Sequence, residues 1–225
     1  MSSDKNERLY EIRNTMLLVL AYAVKEIFIE AKPAAGAVTE DQFFYDFELP
    51  RPLVSEDLIQ IEEKIREIIE KGYQVTTGSV SANEARRMFS DQPYKLELID
   101  ELPEDPGNPG VAICRAGNFS DLCNGRLLSS LKELNPKAFK LTGLSGAYWK
   151  GDAGNAMLQR VYGTAWENDE ELKAYIAKIE EAMNRDHRNL GKQLDLFSSS
   201  QEVGQGLILW HPKGAMVRYL LEKFS

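Results

Sequence analysis

Between Gly146 and Trp166 the chain has to turn back on itself. The run Lys150-Gly-Asp-Ala-Gly-Asn155 sets two glycines among turn formers, and glycine reaches positive φ without the steric penalty that other residues meet there. The residues after it alternate, with Leu158, Arg160 and Tyr162 on one side and Gln159, Val161 and Gly163 on the other, which is the period of a strand. Together the two halves predict a β-hairpin. Neither of its faces is purely apolar. Either one face lines a cleft or meets a partner, or the hairpin is a half-solvated edge, and the pattern leaves both open.

The rest of the chain supplies helices and further strands around that hairpin. Leu9, Ile12, Met16, Leu20, Val24 and Ile27 recur at helical spacing, so the helix expected there spans roughly residues 6–29 and stops at Pro33 and Gly36. Residues 42–48 are dense in aromatics and read as a strand, ended by Pro50 and Pro52. Ser55 is placed to cap a helix carrying Leu58, Ile61, Ile65 and Ile68 on one face and closed by Gly72. Residues 73–80 read as a strand, Ser81 and Glu84 form a capping box for a short helix through Phe89, and residues 96–99 read as another strand. Residues 101–110 hold three prolines, two glycines and several acids, a solvated loop expected to divide two lobes.

Residues 111–115 and 138–142 then make the second lobe strand-rich. Asn168 caps a long helix with Asp169, Glu170 and Glu171 in its first turn, where the helix dipole favours negative charge. That helix, with Leu172, Tyr175, Ile176, Ile179 and Met183 as its stripe, reads as a linker and runs out toward Gly191. Residues 198–201 read as a loop, 207–210 as a short strand, and 211–214 as a turn. Val217, Leu220, Leu221 and Phe224 form the face of a last helix that stops in mid-pattern, as expected of a piece of something larger. The fold class implied is α+β. Its expected divisions are 1–104 and 105–166 for the two lobes, 167–196 for the linker helix, and 197–225 for a strand-helix tail.

Composition narrows the function. A net charge of −8 and a pI near 5.0 argue against gripping nucleic acid through a basic surface, although they leave a shaped RNA site open. The apolar run 16–24 is too short to span a membrane and has no signal-peptide grammar, so a cytoplasmic protein is expected. Cys114 and Cys123 stand nine apart without a CxxC, and His187 and His211 are the only histidines, so neither a disulfide scaffold nor a metal site is expected.

Few residues suggest chemistry on their own. Cys123 lies in a turn beside Asp121 and Gly125, but a thiolate nucleophile needs an activating base or positive charge, and no histidine is near it in sequence. A small semi-buried cysteine is the plainer reading. No glycine run is followed by the helix signals of a phosphate-binding loop. Arg185, Arg188 and Lys192 share one face of the expected linker helix and would suit a phosphate backbone. Glu180, Glu181 and Asp186 beside them suit an ordinary solvated surface as well.

Several runs carry a resemblance: 146–152, Met157-Leu-Gln-Arg-Val-Tyr-Gly-Thr-Ala-Trp166, Arg185-Asp-His-Arg188, 190–197 and Leu209-Trp-His-Pro-Lys-Gly214. In order and spacing, from about Arg8 onward, they resemble bacterial threonyl-tRNA synthetase. The stretch covered is the editing domain with its second additional domain, the linker helix and the start of the class II catalytic domain. The resemblance implies tRNA(Thr), held by its acceptor end, as partner, a full-length homodimer and no membrane. It also places the ATP and zinc sites beyond Ser225, so no cofactor is expected for this chain.

In that family the editing site hydrolyses serine mischarged on threonine tRNA. It uses a His-x-x-x-His pair on the first helix and a Cys-x-x-x-His in the second lobe. Here the two helix positions are Asn14 and Leu18, and the second element keeps Cys123 but has Leu127. Tyr45, Lys95 and Asp121 match the family and would be the residual editing-site positions beside Cys123. Lys95 would polarise an ester carbonyl and Asp121 would hold an α-amino group. The implied function is a tRNA acceptor-end binding or architectural domain with its hydrolytic site largely lost. The alternatives are a trans-editing hydrolase working through Cys123, Lys95 and Asp121, or a structural module that has left tRNA.

Overall fold

The computed structural model describes residues 2–102, 110–185, 187–199 and 207–224. The chain divides into two compact units, Met1–Leu172 and Lys173–Ser225. Its class is α+β with antiparallel sheets, as the patterns imply.

The first unit is organised around α1 (Ser2–Ile27), whose residues 12–24 are buried on every side. A helix apolar around its whole circumference belongs inside a core. It packs against β1 (Lys32–Val38), β2 (Phe43–Glu48) and α2 (Ser55–Lys71). β1 was not expected, because Pro33 and Gly36 read as breakers. It is an edge strand, where a proline's missing N–H is tolerated, and it bulges between Pro33 and Gly36. A Cβ at Gly36 would sit 2.7 Å from the Tyr45 ring, so the close approach of β1 to β2 requires glycine.

α2 ends on Gly72, which takes the left-handed conformation expected of it (φ 62°). Its start corrects the expectation. Ser55 is already helical, Val54 is the cap, and the capping carboxylate is Asp57, which accepts the Val54 N–H at 2.8 Å. β3 (Val75–Val80) and α3 (Ala82–Met88) follow, with Ser81 Oγ accepting the Glu84 N–H as expected. Residues 96–99 are not a strand but the middle of α4 (Pro93–Asp100). Proline at its first position fits a helix start, and the helix buries Tyr94, Lys95 and Ile99.

β4 (Val111–Ala116) and β5 (Phe119–Leu122) complete a three-stranded sheet in the order β3-β4-β5. The expected hairpin is β6 (Phe139–Tyr148) and β7 (Met157–Ala165), turning at Lys150 and Gly151, both at positive φ. It belongs to a four-stranded sheet ordered β1-β2-β7-β6, in which β7 is central and β6 is the edge. Strands from either side of residue 105 therefore share both sheets, and the two expected lobes interleave. Residues 103–109 of the expected dividing loop lie outside the described residues.

α5 (Asp169–Asn184) begins as expected, with Asn168 Oδ1 accepting the Glu171 N–H at 2.9 Å. The second unit continues with α6 (His187–Gln193), β8 (Phe197–Ser199), β9 (Ile208–Trp210) and α7 (Pro212–Phe224). Ser198 and Ser199 pair with β9 rather than forming a loop; residues 200 and 201 lie outside the described residues. Pro212 opens α7, so the expected turn at 211–214 is mostly its first turn. His211 bridges Asp195 (Nδ1 to Oδ1, 2.6 Å) and Ser198 (Nε2 to Oγ, 2.9 Å), tying β8 to the start of α7.

Candidate functional site

Three elements of the first unit bring Tyr45, Lys95 and Asp121 together. β2 presents Tyr45, α4 presents Lys95, and β5 presents Asp121, and all three side chains are buried. The Lys95 ammonium donates to the Tyr45 hydroxyl at 2.7 Å, and that hydroxyl donates to Asp121 Oδ2 at 2.7 Å. Lys95 Nζ also contacts Asp121 Oδ1 directly, and the same carboxylate oxygen accepts the Leu122 N–H at 2.6 Å. Each polar atom has a partner within the cluster, which a buried ion pair needs if it is to offset its lost hydration.

Burial sets the electrostatics. It pulls the Lys95 ammonium down to about 7, with Cys114 opposing the shift. An opposite charge in contact favours the charged form, so the Asp121 carboxylate opposes that fall. Burial first, then Cys114 and Asp46, raise the Tyr45 hydroxyl well above its ordinary value. Tyr45 is thus a proton donor and not a base. The cluster is closed on itself, with the Lys95 ammonium also 5.4 Å from the Tyr45 ring centre and 5.9 Å from that of Phe89.

The remaining positions meet between α1 and the segment after β5. Asn14 Nδ2 donates to the carbonyls of Asn124 (2.6 Å) and Arg126 (2.9 Å), and Thr15 Oγ1 accepts the Leu128 N–H at 2.9 Å. Gly125 lies between those carbonyls at φ 99°, where a Cβ would be 2.9 Å from Asn14 Nδ2. Leu18 is buried in the main apolar core and Leu127 packs against that core. Two α1 side chains, Asn14 and Thr15, therefore hold the 123–128 segment down on the helix.

Cys123 is half-buried at the mouth of this segment, its thiol within 3.4 Å of the Gly125 carbonyl. A hydrogen bond from the Cys114 thiol lowers it to about 7, and the same bond, with burial, raises Cys114. Sequence reasoning missed Cys114. The usable signal was strand alternation, since Cys114 faces Asp121 across the β4–β5 pair and shares its side of the sheet. Residues 1–172, the unit that holds these groups, contain no histidine.

The three expected phosphate-binding cations do not share a helix face. α5 ends at Asn184 and α6 starts at His187, so Arg185 and Lys192 are on opposite sides of a break. Arg185 is ion-paired to Glu181 at 2.5 Å, and the side chain of Arg188 lies outside the described residues.

Residues 111–162, from β4 through most of β7, match the model of the threonyl and alanyl tRNA synthetase second additional domain. Along almost the whole chain, curated proteins named threonine–tRNA ligase align. The one from Oleidesulfovibrio alaskensis is 46% identical over 225 residues, 99% of this chain and 34% of its own length. That from Borrelia turicatae is 44% identical over 221 residues, 98% of this chain and 37% of its own length. This chain is a relative of the threonine–tRNA ligases. It spans a little over a third of the length of those curated ligases, 37% of the one from Borrelia turicatae and 38% of another from Borrelia garinii. Asp121, Cys123 and Leu127 fall within the matched stretch 111–162, together with β6 and most of β7.

Proposed function

We propose that this chain is a tRNA acceptor-end binding domain of a threonine–tRNA ligase lineage in which the hydrolytic site of the editing domain has been lost. One observation carries the reading. Asn14 is spent on the Asn124 and Arg126 carbonyls, while Leu18 and Leu127 belong to the apolar core, so the wall between α1 and the 123–128 segment holds packing where a water-activating base would have to stand. Hydrolysis of an ester needs a group that takes a proton from water, and its removal costs on the order of 10²–10⁴ in rate. Lys95, Tyr45 and Asp121 do not replace it, because each is buried and committed to the others.

The test is direct. Purified chain is incubated with seryl-tRNA(Thr), and separately titrated with uncharged tRNA(Thr) in a gel-shift assay. The expected outcome is a saturable shift with deacylation close to the uncatalysed rate. Deacylation near the rate of an intact editing domain overturns the reading, and so does the absence of any shift.

A second reading has one observation in its favour. Cys123 is partly accessible, and the Cys114 hydrogen bond eases its ionisation to about 7, so a fraction of thiolate exists at neutral pH. A thiolate hydrolase predicts that any deacylation disappears in Cys123→Ala and persists in Cys114→Ala at a lower rate.

A further inference from the structure

A second feature lies on the same face of α1 as Asn14 and Leu18. Residues 14, 18, 22 and 25 follow one another at spacings of four, four and three, so they form one stripe along the helix. Tyr22 and Lys25 wall a cleft of about 540 Å³ whose other sides are Phe89 and Gln92, between α3 and α4, and Asn118 and Phe119 at the turn from β4 to β5. Residue 22 is roughly 12 Å along the helix from residue 14. None of Tyr45, Lys95, Asp121 or Cys123 lines this cleft.

Its lining has a definite chemistry. The Tyr22 and Phe119 rings are stacked, 5.2 Å between centres and 3° from parallel, with Tyr22 buried and Phe119 partly exposed. The Tyr22 hydroxyl donates to Asn118 Oδ1, which leaves the Asn118 amide N–H groups as donors. Gln92 adds a second carboxamide, able to donate and accept. The charges do not favour phosphate. Lys25 is engaged with the Ala31 carbonyl at 3.0 Å and lies 3.8 Å from Asp91, which is outside the lining, and Glu26 sets a carboxylate in the wall itself. An aromatic surface with carboxamides at its rim, and one cation against one acid in its wall, suits a flat, uncharged, hydrogen-bonding group.

We propose that this cleft seats one unstacked nucleobase, stacked on Phe119 and read along its edge by Asn118 and Gln92. Single-stranded RNA is recognised in this manner, by aromatic stacking and contacts to base edges, where a duplex would be gripped through its phosphates. The proposal deepens the acceptor-end reading and rests on it: the base belongs to the unpaired 3′ end of a tRNA, held two helical turns from Asn14. A free nucleoside offers the same chemistry and is the other possible source.

The experiment measures affinity for tRNA(Thr), for the same tRNA lacking its three 3′-terminal nucleotides, and for adenosine alone, with the wild-type chain and with Phe119→Ala and Phe119→Leu. Leucine keeps an apolar contact to Tyr22 and guards against loss of folding, which is checked by circular dichroism. The wild type is expected to bind the intact tRNA more tightly than the truncated one, by roughly 5- to 150-fold, the scale of one stacked base. Both variants are expected to lose that difference while keeping the affinity for truncated tRNA. Equal affinity of the wild type for the two tRNAs overturns the proposal and leaves the acceptor-end reading standing. Loss of all tRNA binding overturns the reading. In that case saturable adenosine binding abolished in Phe119→Leu keeps the cleft as a nucleoside site, and its absence overturns both.

Discussion

At the scale of single residues, the decisive fact is how Lys95 and Asp121 are spent. Breaking a buried pair by removing one partner leaves an uncompensated charge, whereas replacing both with apolar groups removes the need for compensation. Lys95→Met is therefore expected to cost about 3–5 kcal/mol, and the double variant Lys95→Met, Asp121→Leu clearly less, in urea unfolding of the purified chain. A double variant less stable than the single would show that the pair holds the fold together by more than mutual neutralisation. Little of this was legible beforehand. Tyr45 and Lys95 came from the resemblance and from no pattern of their own, and a lysine just before a short segment read as a strand gives no sign that α4 will turn it inward. That positions 18 and 127 carry no group able to take a proton was legible, because a leucine cannot take a proton in any fold.

At the scale of elements, the sequence was clearest where a long periodic pattern met its own punctuation. α1, α2, α5 and the hairpin of β6 and β7 lie where the apolar periods and the glycines put them. β1 and α4 were missed because proline carries two meanings: it ends regular structure in the middle of an element and is accepted at a sheet edge or a helix start. The start of α2 makes a quantitative case. Arg51 holds Asp57 by two hydrogen bonds of 2.7 and 2.6 Å, and that contact, with the Val54 N–H, lowers the carboxyl to about 2. A carboxyl that ionises more readily in the folded state stabilises above its unfolded value near 4 and loses that contribution as pH falls toward 2. Asp57→Ala is expected to cost about 1–2 kcal/mol at pH 7, and almost nothing at pH 2, in thermal or urea unfolding. A cost unchanged between the two pH values would exclude the charge as its cause. In the central strand β7, a Cβ at Gly163 would fall 2.5 Å from the Phe43 ring. Gly163→Ala is accordingly expected to destabilise by about 1–3 kcal/mol, a loss that Phe43→Leu in the same chain partly recovers.

At the scale of the molecule, the expected boundary near residue 105 failed because a loop rich in proline and acids marks where chain leaves the core and says nothing about where it returns. β2 pairs with β7 and β3 with β4, so neither side of that loop owns a complete sheet. A fragment of residues 1–104 is expected to stay unfolded and one of residues 1–172 to unfold in a single cooperative transition, read by circular dichroism; a folded 1–104 would contradict the shared sheets. The same pairing has a consequence in time. Phe43 faces Gly163, about 120 positions further along the chain. Made on a ribosome at about 5–20 residues per second, β1 and β2 wait roughly 6–24 s for the strand that completes their sheet. During that interval β2, with its run of aromatics, has an open edge, and the nascent chain is most exposed to mispairing before its cleft or its site exists.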